Sequence, residues 1–209
     1  MMKGKRGLPF VVIGLLLIAA ALSLSGYNIW DEKRAAESVE LAIEEILPLI
    51  PDPKERPVTE NPSDVYIPDY ILNPEMDMPA VKVREYDYIG YLSIPALGLR
   101  LPVMSQWSYP LLKVAPCRYT GTAYQNDLVI AAHNYRQHFG SLPDLRVGDE
   151  ISFTDIDGNV FRYVVAEMEE LAPDHTREMV KSGWDLTLFT CNLSGTLRFT
   201  VRCSQVDGA

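Results

Sequence analysis

The sequence is poor in cysteine, histidine and positive charge. Its 209 residues include three cysteines and three histidines, and 28 acidic residues against 19 basic ones give a formal net charge of -9. Because an acidic surface repels a phosphate backbone, this composition argues against nucleic-acid binding, and solubility is the simpler reason for the charge. The chain also lacks a repeat of fixed length, which sets solenoid and propeller architectures aside.

The three cysteines, Cys117, Cys191 and Cys203, do not form a regular framework. An odd number at irregular spacing is atypical of a disulfide scaffold, and the lack of a Cys-x-x-Cys pair argues against a structural zinc site. Cys117 and Cys203 are expected to be buried apolar residues, although a disulfide between them stays open. The glutamate-rich stretch at 167–170 is typical of a solvated face. We therefore predict neither a metal nor a cofactor.

One long apolar run lies near the N-terminus. No charged residue occurs between 7 and 30, and the segment 8–24 is long and apolar enough to span a bilayer as a helix. Three basic residues precede it, so the positive-inside rule predicts a cytoplasmic N-terminus and an extracellular remainder. A signal peptide cleaved near 21–23 is the alternative, but the apolar run exceeds the usual length of a signal-peptide core. We therefore predict a single-pass protein of the cell membrane with an uncleaved anchor.

Composition divides the chain into four segments. Residues 1–26 hold the basic tip and the anchor, and residues 27–48 are predicted to form a helical stalk because their apolar residues share one helical face. Eight of the fifteen prolines fall between 48 and 79, which predicts an extended linker or a lid over residues 49–85. A folded domain is predicted over residues 86–209.

The predicted domain consists mainly of short β-type runs separated by turn signals. About eight such runs can be counted, for example at 88–94, 127–132 and 160–171, and helical patterns are few. Many short strands of this kind are typical of a closed barrel or a sandwich. The pattern therefore predicts an all-β fold.

One cysteine, one histidine and one arginine stand at strand ends, where side chains can meet at the rim of a barrel. Cys191 and His133 each close an apolar strand, and Arg198 opens the last strand. A cysteine nucleophile needs a thiolate, a proton donor for the leaving group and a cation or donor for the developing oxyanion. These three residues supply such groups, although each also has an ordinary structural explanation. His138 and His175 are expected to be surface residues.

The end of the penultimate strand carries a recognisable motif, Thr187-Leu188-Phe189-Thr190-Cys191. It matches the Thr-Leu-x-Thr-Cys motif of sortases, the transpeptidases that attach proteins to Gram-positive cell walls or to one another. Other segments resemble the family's strands in the same order, including the strand at 128–134 that delivers the family's catalytic histidine. The resemblance covers roughly residues 86–203 and implies an eight-stranded β-barrel.

The resemblance also implies a role for each residue of the site. Cys191 would be the nucleophile, His133 the general acid and base, and Arg198 the oxyanion stabiliser, while Thr190 and Asn134 would contact the substrate. The implied partners are a sorting-signal peptide of the Leu-Pro-x-Thr-Gly type and an amine, which belongs either to a peptidoglycan precursor or to a pilin lysine. No cofactor is implied, and the subclass of sortase stays open.

A second arginine competes for the role of oxyanion stabiliser. Arg202 lies four residues beyond Arg198 and, by strand alternation, on the same face. The family's arginine directly precedes the apolar run of the last strand, which favours Arg198. Lysine is therefore expected to be damaging at position 198 and tolerated at position 202.

Two other functions are compatible with the sequence. A cysteine peptidase or amidase would use the same cysteine and histidine with water as the acceptor. A surface adhesin or scaffold would need no catalysis, so replacing Cys191 would leave its function intact. Product analysis distinguishes the enzymes, because only a transpeptidase makes a new amide bond with an added amine.

Overall fold

The structure is a computed structural model of the chain, and it describes residues 8–52, 66–180, 183–192 and 195–206. The basic tip that predicts the membrane orientation and residues 53–65 of the proline-rich linker lie outside the described residues. The chain forms two compact units, one up to residue 34 and one from residue 35 onward.

The first unit is the N-terminal part of one long helix, α1 (Leu8–Ile46). Its apolar side chains are exposed, and an 18-residue window reaches a mean hydropathy of 2.3 with none of it buried. By length and composition it is the one helix of the described residues that could cross a membrane, which fits the predicted anchor. Tyr27 and Trp30 follow the apolar run, with ring centroids 6.0 Å apart, where interfacial aromatics are expected.

The second unit is built on a single sheet that contains nine strands within the described residues. The strands are β1 (Val81–Val83), β2 (Tyr86–Ile94), β3 (Leu99–Met104), β4 (Cys117–Thr120), β5 (Leu128–Ala131), β6 (Glu150–Asp155), β7 (Val160–Leu171), β8 (Leu186–Cys191) and β9 (Arg198–Gln205). Three short helices lie in the connections: α2 (Asp69–Leu72), α3 (Tyr109–Leu112) and α4 (Thr176–Val180).

The sheet closes on itself into a barrel. Its order is β1-β2-β3-β4-β5-β8-β9-β7-β6, and β6 pairs again with β2, so that β2 to β9 form the closed barrel and β1 extends β2. The pairing of β2 with β6, which closes the barrel, requires glycine at position 90. A Cβ there would lie 2.0 Å from the carbonyl oxygen of Thr154. The predicted all-β fold, a closed eight-stranded barrel with minor helices, is confirmed.

Strand alternation gives the barrel an inner and an outer buried face. Leu186 and Leu188 of β8 belong to the large core cluster, whereas Phe189 belongs to a smaller cluster that includes Ala131 of β5. Because Cys191 follows Phe189 by two residues on the same strand, its side chain lies on the same outer face. The smaller cluster therefore lies on the barrel face that also carries Cys191.

The C-terminal part of α1 belongs to the packed core of the second unit. Val39, Ala42 and Ile46 are buried and share the large cluster with barrel residues. Their spacing places them on one helical face. The guanidinium of Arg84, between β1 and β2, donates to the carboxylate of Glu45 on the same helix. Packing of this unit thus begins well before residue 86.

The described end of the proline-rich segment, residues 66–80, packs along the barrel. Tyr70 stacks on Tyr124, with ring centroids 4.7 Å apart and planes 10° from parallel. Asp77 accepts a hydrogen bond of 2.7 Å from Arg118 on β4, and this ion pair lowers the pKa of the Asp77 carboxyl. These contacts hold the segment against the barrel wall.

Candidate active site

Cys191 and Arg198 meet directly across the last two strands. They are opposite one another in the antiparallel β8–β9 register, so their side chains lie on the same face. Both are half-buried. The turn between them is held by Asn192, whose side-chain oxygen accepts from the backbone N–H of Leu197 at 3.2 Å. Residues 193–194 of this turn lie outside the described residues.

His133 reaches the same rim from the other side of β8. Strands β5 and β8 run parallel with Ala131 level with Phe189, and the backbone N–H of Ala132 donates to Phe189 at 3.2 Å. His133 lies two residues beyond the end of β5, and Cys191 lies two residues beyond Phe189, so both residues lie at the same end of these neighbouring strands. The three residues predicted to carry the chemistry thus lie at one end of β5, β8 and β9.

The hydrogen bonds of His133 define its neutral form. The backbone N–H of Asn134 donates to Nδ1 at 3.0 Å, so Nδ1 is an acceptor and the ring proton belongs on Nε2. The side-chain oxygen of Asn134 lies 3.1 Å from the same Nδ1 and can accept from it once the ring is protonated. Asn134 thus contacts the histidine as well as the cavity beside it.

Two cavities flank Cys191. The first, of about 230 Å³, is walled by aromatic and aliphatic side chains and includes Arg198. Its aromatic wall consists, in order of contact, of Tyr109, Trp107, Tyr119 and Phe189, with successive ring centroids 4.9–5.8 Å apart. The motifs do not predict this wall, although the Trp107-Ser108-Tyr109 triplet is its signal in the sequence. Exposed aromatic rings beside a candidate nucleophile are typical of a binding groove.

The second cavity has a volume of about 390 Å³ and includes a carboxylate in its lining. Glu170 and Asn192 line it together with Asn134 and Cys191. Thr190 lines both cavities and is 3% exposed, and its hydroxyl has no hydrogen-bond partner among the described residues. A buried hydroxyl without a partner is available to a bound ligand. Residues 66–80 line neither cavity, so the described part of the proline-rich segment does not cover Cys191.

Residues 92–206 match the sortase domain family, which is more than half of the chain. The chain belongs to the sortase family. A sortase domain implies a cysteine transpeptidase, and an N-terminal apolar helix suits an enzyme of the bacterial cell surface.

Solved sortases share the fold. Sortase C1 from Streptococcus suis is 26% identical, with a TM-score of 0.51 over 58% of this chain and 74% of that chain. Sortase C from Streptococcus pneumoniae, described for its catalysis and pilin substrate specificity, is 25% identical, with a TM-score of 0.53 over 61% and 69%. A lid mutant of sortase A from Corynebacterium diphtheriae, 24% identical, has a TM-score of 0.53 over 60% and 73%, and it supports the fold alone. No curated protein matches the chain.

The two arginines of β9 have different surroundings in this sortase. Arg198 donates only to the carbonyls of Gly195 and Leu197 at 3.4 Å, and no carboxylate of the described residues pairs with it. Arg202 is 2% exposed and donates to the side chains of Glu169 and Thr187 and to two carbonyls of α4. Arg202 therefore holds α4 on the barrel, so lysine at position 202 is expected to cost stability, whereas its tolerance in catalysis stays a prediction.

The three cysteine thiols also differ from one another in burial. All are free cysteines, and Cys117 and Cys203 are fully buried, as expected, without a disulfide between them. Burial raises the pKa of each of these two thiols to about 12. Cys191 alone is half-buried and lines cavities. Among the described residues no cluster of His, Cys, Asp and Glu could hold a metal ion.

The expectation that His138 is a surface residue is wrong, whereas His175 is exposed and bonded to Glu178 at 2.8 Å. His138 is 0% exposed, and the backbone of Ala35 in α1 and of Leu112 in α3 lies beside its ring. Neither ring nitrogen makes a well-formed hydrogen bond within the described residues. Burial, and secondly the nearby His133, lowers the pKa of His138 from 6.5 to about 4.

This burial predicts a stability loss in mild acid. The unfolded chain binds a proton at His138 below about pH 6.5, whereas the folded protein does so only near pH 4. The free energy of unfolding should therefore fall by about 3 kcal/mol across that interval on account of this one residue. Denaturant unfolding of the wild type and of His138→Leu at several pH values should show a flatter acid dependence in the variant. His175→Gln is the exposed control, and an unchanged slope in His138→Leu would contradict the prediction.

Proposed function

We propose that this sortase cleaves a sorting signal of the Leu-Pro-x-Thr-Gly type outside the cytoplasm and transfers the acyl part to an amine. The observation that carries the proposal is that Cys191 lies opposite Arg198 and at the same end of the barrel as His133, and that two cavities adjoin Cys191. The apolar helix α1 would keep the enzyme at the membrane where such substrates are presented.

The first half-reaction would be acylation of Cys191. The thiolate attacks the carbonyl carbon of the scissile peptide bond, and the C–S bond forms while the carbonyl oxygen gains negative charge. Arg198 lies across the strand pair from Cys191 and carries a permanent cation, so it is placed to stabilise this oxygen. His133 gives a proton to the departing amine as the C–N bond breaks, which leaves a thioacyl enzyme and a neutral imidazole.

The second half-reaction would transfer the acyl group. The acceptor amine attacks the thioester carbon, His133 takes its proton, and the C–S bond breaks to return the Cys191 thiolate. Thr190 has a buried hydroxyl beside Cys191 and Asn134 has an amide at the same rim, so both are proposed to bind the peptide backbone. Attack by water instead of an amine would give simple hydrolysis.

The two cavities beside Cys191 would bind different parts of the substrates. An apolar Leu-Pro segment gains most from burial against the aromatic wall formed by Trp107, Tyr109, Tyr119 and Phe189. The departing amine and the incoming amine would then share the second cavity. Glu170 is the one carboxylate lining that cavity among the described residues, and it attracts an ammonium group.

Two acceptors fit this proposal, namely the amine of a peptidoglycan precursor and the side chain of a pilin lysine. The pneumococcal sortase C is described for pilin substrate specificity, which supports testing lysine. A carboxylate in the cavity favours cationic amines in general, so both kinds of acceptor belong in the same assay.

The test is a ligation assay with the full-length protein in detergent micelles. Peptides of the Leu-Pro-x-Thr-Gly type are mixed with triglycine, a lysine-containing pilin-like peptide or a peptidoglycan stem peptide, and the products are identified by mass spectrometry. We expect a thioacyl adduct on Cys191 and a new amide bond with at least one amine.

Peptides in which Ala-Ala replaces Leu-Pro are the control, because they lack the groups that the aromatic wall would bind. Hydrolysis with every amine would indicate a peptidase instead of a transpeptidase. The absence of both adduct and cleavage would contradict an enzymatic function for this peptide class.

A further inference from the structure

The residue that follows Asn134 contacts the candidate general acid directly. The ring of Tyr135 stacks on the imidazole of His133, with centroids 4.2 Å apart and planes 5° from parallel. Such a stack restricts rotation of the imidazole about its side-chain bonds. It also places an electron-rich ring face against a group that must carry a positive charge during the reaction.

Tyr135 is itself held firmly in the loop. Its carbonyl accepts from the N–H groups of His138 and Gly140, each at 2.9 Å. A Cβ on Gly140 would lie 2.5 Å from the carbonyl of Asn134, so only glycine allows this turn. The buried ring of His138 packs edge-on against Tyr135, with centroids 5.4 Å apart. The stacked ring is therefore built into the turn that carries His133.

Charged groups at the rim also act on the charge of His133, in opposite directions. Arg198 disfavours a second positive charge at the rim, whereas a Cys191 thiolate and the Glu170 carboxylate favour it. His138 stays neutral near pH 7 because burial lowers its pKa to about 4. The ring of Tyr135 is the aromatic group stacked on the imidazole within the described residues.

We propose that Tyr135 is a positioning residue that stabilises the protonated form of His133. A cation over an aromatic face is attracted by the ring quadrupole, whereas a neutral imidazole gains less from the same face. The imidazolium gives its Nε2 proton to the departing amine, so the stack increases the fraction of enzyme ready for acylation. This inference rests on the proposed function for its kinetic consequence, but the stack acts on the histidine whether or not a peptide is cleaved.

The kinetic test compares the full-length wild type, Tyr135→Phe and Tyr135→Leu across a range of pH. Leucine removes the aromatic face, and kcat/KM should fall roughly twofold to fivefold at neutral and alkaline pH. The loss should appear in kcat and should vanish toward acid pH, where His133 is protonated in both proteins. Phenylalanine keeps the ring and should retain the wild-type profile. A pH-independent loss, an equal loss in Tyr135→Phe or no loss in Tyr135→Leu would overturn the proposal.

A second measurement does not depend on activity. In a Cys191→Ala, His175→Gln background, the imidazole signal of His133 is followed by NMR, and His138 does not titrate near pH 7. Adding Tyr135→Leu should lower the pH of half-titration by roughly 0.4–0.7 units, and Tyr135→Phe should not. Unchanged titration would overturn the proposal even if acyl transfer is found, whereas a shift without any acyl transfer would support it and contradict only the proposed function. Thermal unfolding of each variant checks that the fold is retained.

Discussion

Replacing Cys191 with alanine should abolish acyl transfer, with a loss of roughly a thousandfold or more in rate. The proposed reaction forms a covalent bond to this sulfur, and the other two thiols are buried away from the cavities. Because Cys191 is half-buried at the end of β8, its truncation should leave the free energy of unfolding nearly unchanged. Mass spectrometry of the ligation assay should show neither the thioacyl adduct nor the new amide in this variant.

Alkylation provides the matched control for this prediction. Iodoacetamide reacts with thiolates, and burial raises the pKa of Cys117 and Cys203 to about 12. The native protein should therefore incorporate one equivalent at Cys191 and lose activity, whereas Cys191→Ala should incorporate none. Ligation by the alanine variant, or inactivation through either buried thiol, would place the chemistry elsewhere.

The sequence predicts the parts of this site that depend on strands consecutive in the chain. Cys191 and Arg198 are joined by a short turn, so an antiparallel hairpin brings them together once both strands are recognised. Period-two alternation is also a local property, which is why Arg202 could be placed on the same face as Arg198. The eight-strand count followed from turn signals and from the family resemblance.

The rest of the site depends on packing that no local pattern encodes. The parallel pairing of β5 with β8 joins segments far apart in the chain, and it was the resemblance that linked His133 to Cys191. His138 lies in a polar stretch of sequence, yet its ring is buried beside the backbone of Ala35 and Leu112, which are distant in the chain. The helical face of α1 was visible as a pattern, but the barrel surface that covers Val39 and Ile46 was not.

The second large effect is expected from lysine substitutions at the two arginines of β9. Arg198→Lys should lower kcat roughly a hundredfold, with little change in the free energy of unfolding. A lysine keeps the charge but loses the planar fork of donors, and the Arg198 guanidinium makes only long hydrogen bonds to backbone within the described residues. Its removal therefore costs the fold little.

Arg202→Lys should show the opposite behaviour. The Arg202 guanidinium makes four hydrogen bonds in a site where it is 2% exposed, and an ammonium group cannot reach all four acceptors. Leaving Glu169 and the carbonyls of α4 without their donor should lower the free energy of unfolding by about 3 kcal/mol. The measurements are urea unfolding and steady-state kinetics of peptide ligation on both variants.

The two lysine variants are expected to differ in which kinetic constant changes, kcat or KM. Arg202 bonds the carbonyls of Glu178 and Met179, and Met179 lines the aromatic cavity proposed for the Leu-Pro segment. Displacement of α4 should therefore raise KM for the peptide in Arg202→Lys while kcat per folded molecule is retained. Arg198→Lys should change kcat and leave KM nearly constant, because the oxyanion exists only after attack. If both variants lost kcat equally, or if Arg202→Lys alone lost it, Arg198 would not be the oxyanion stabiliser.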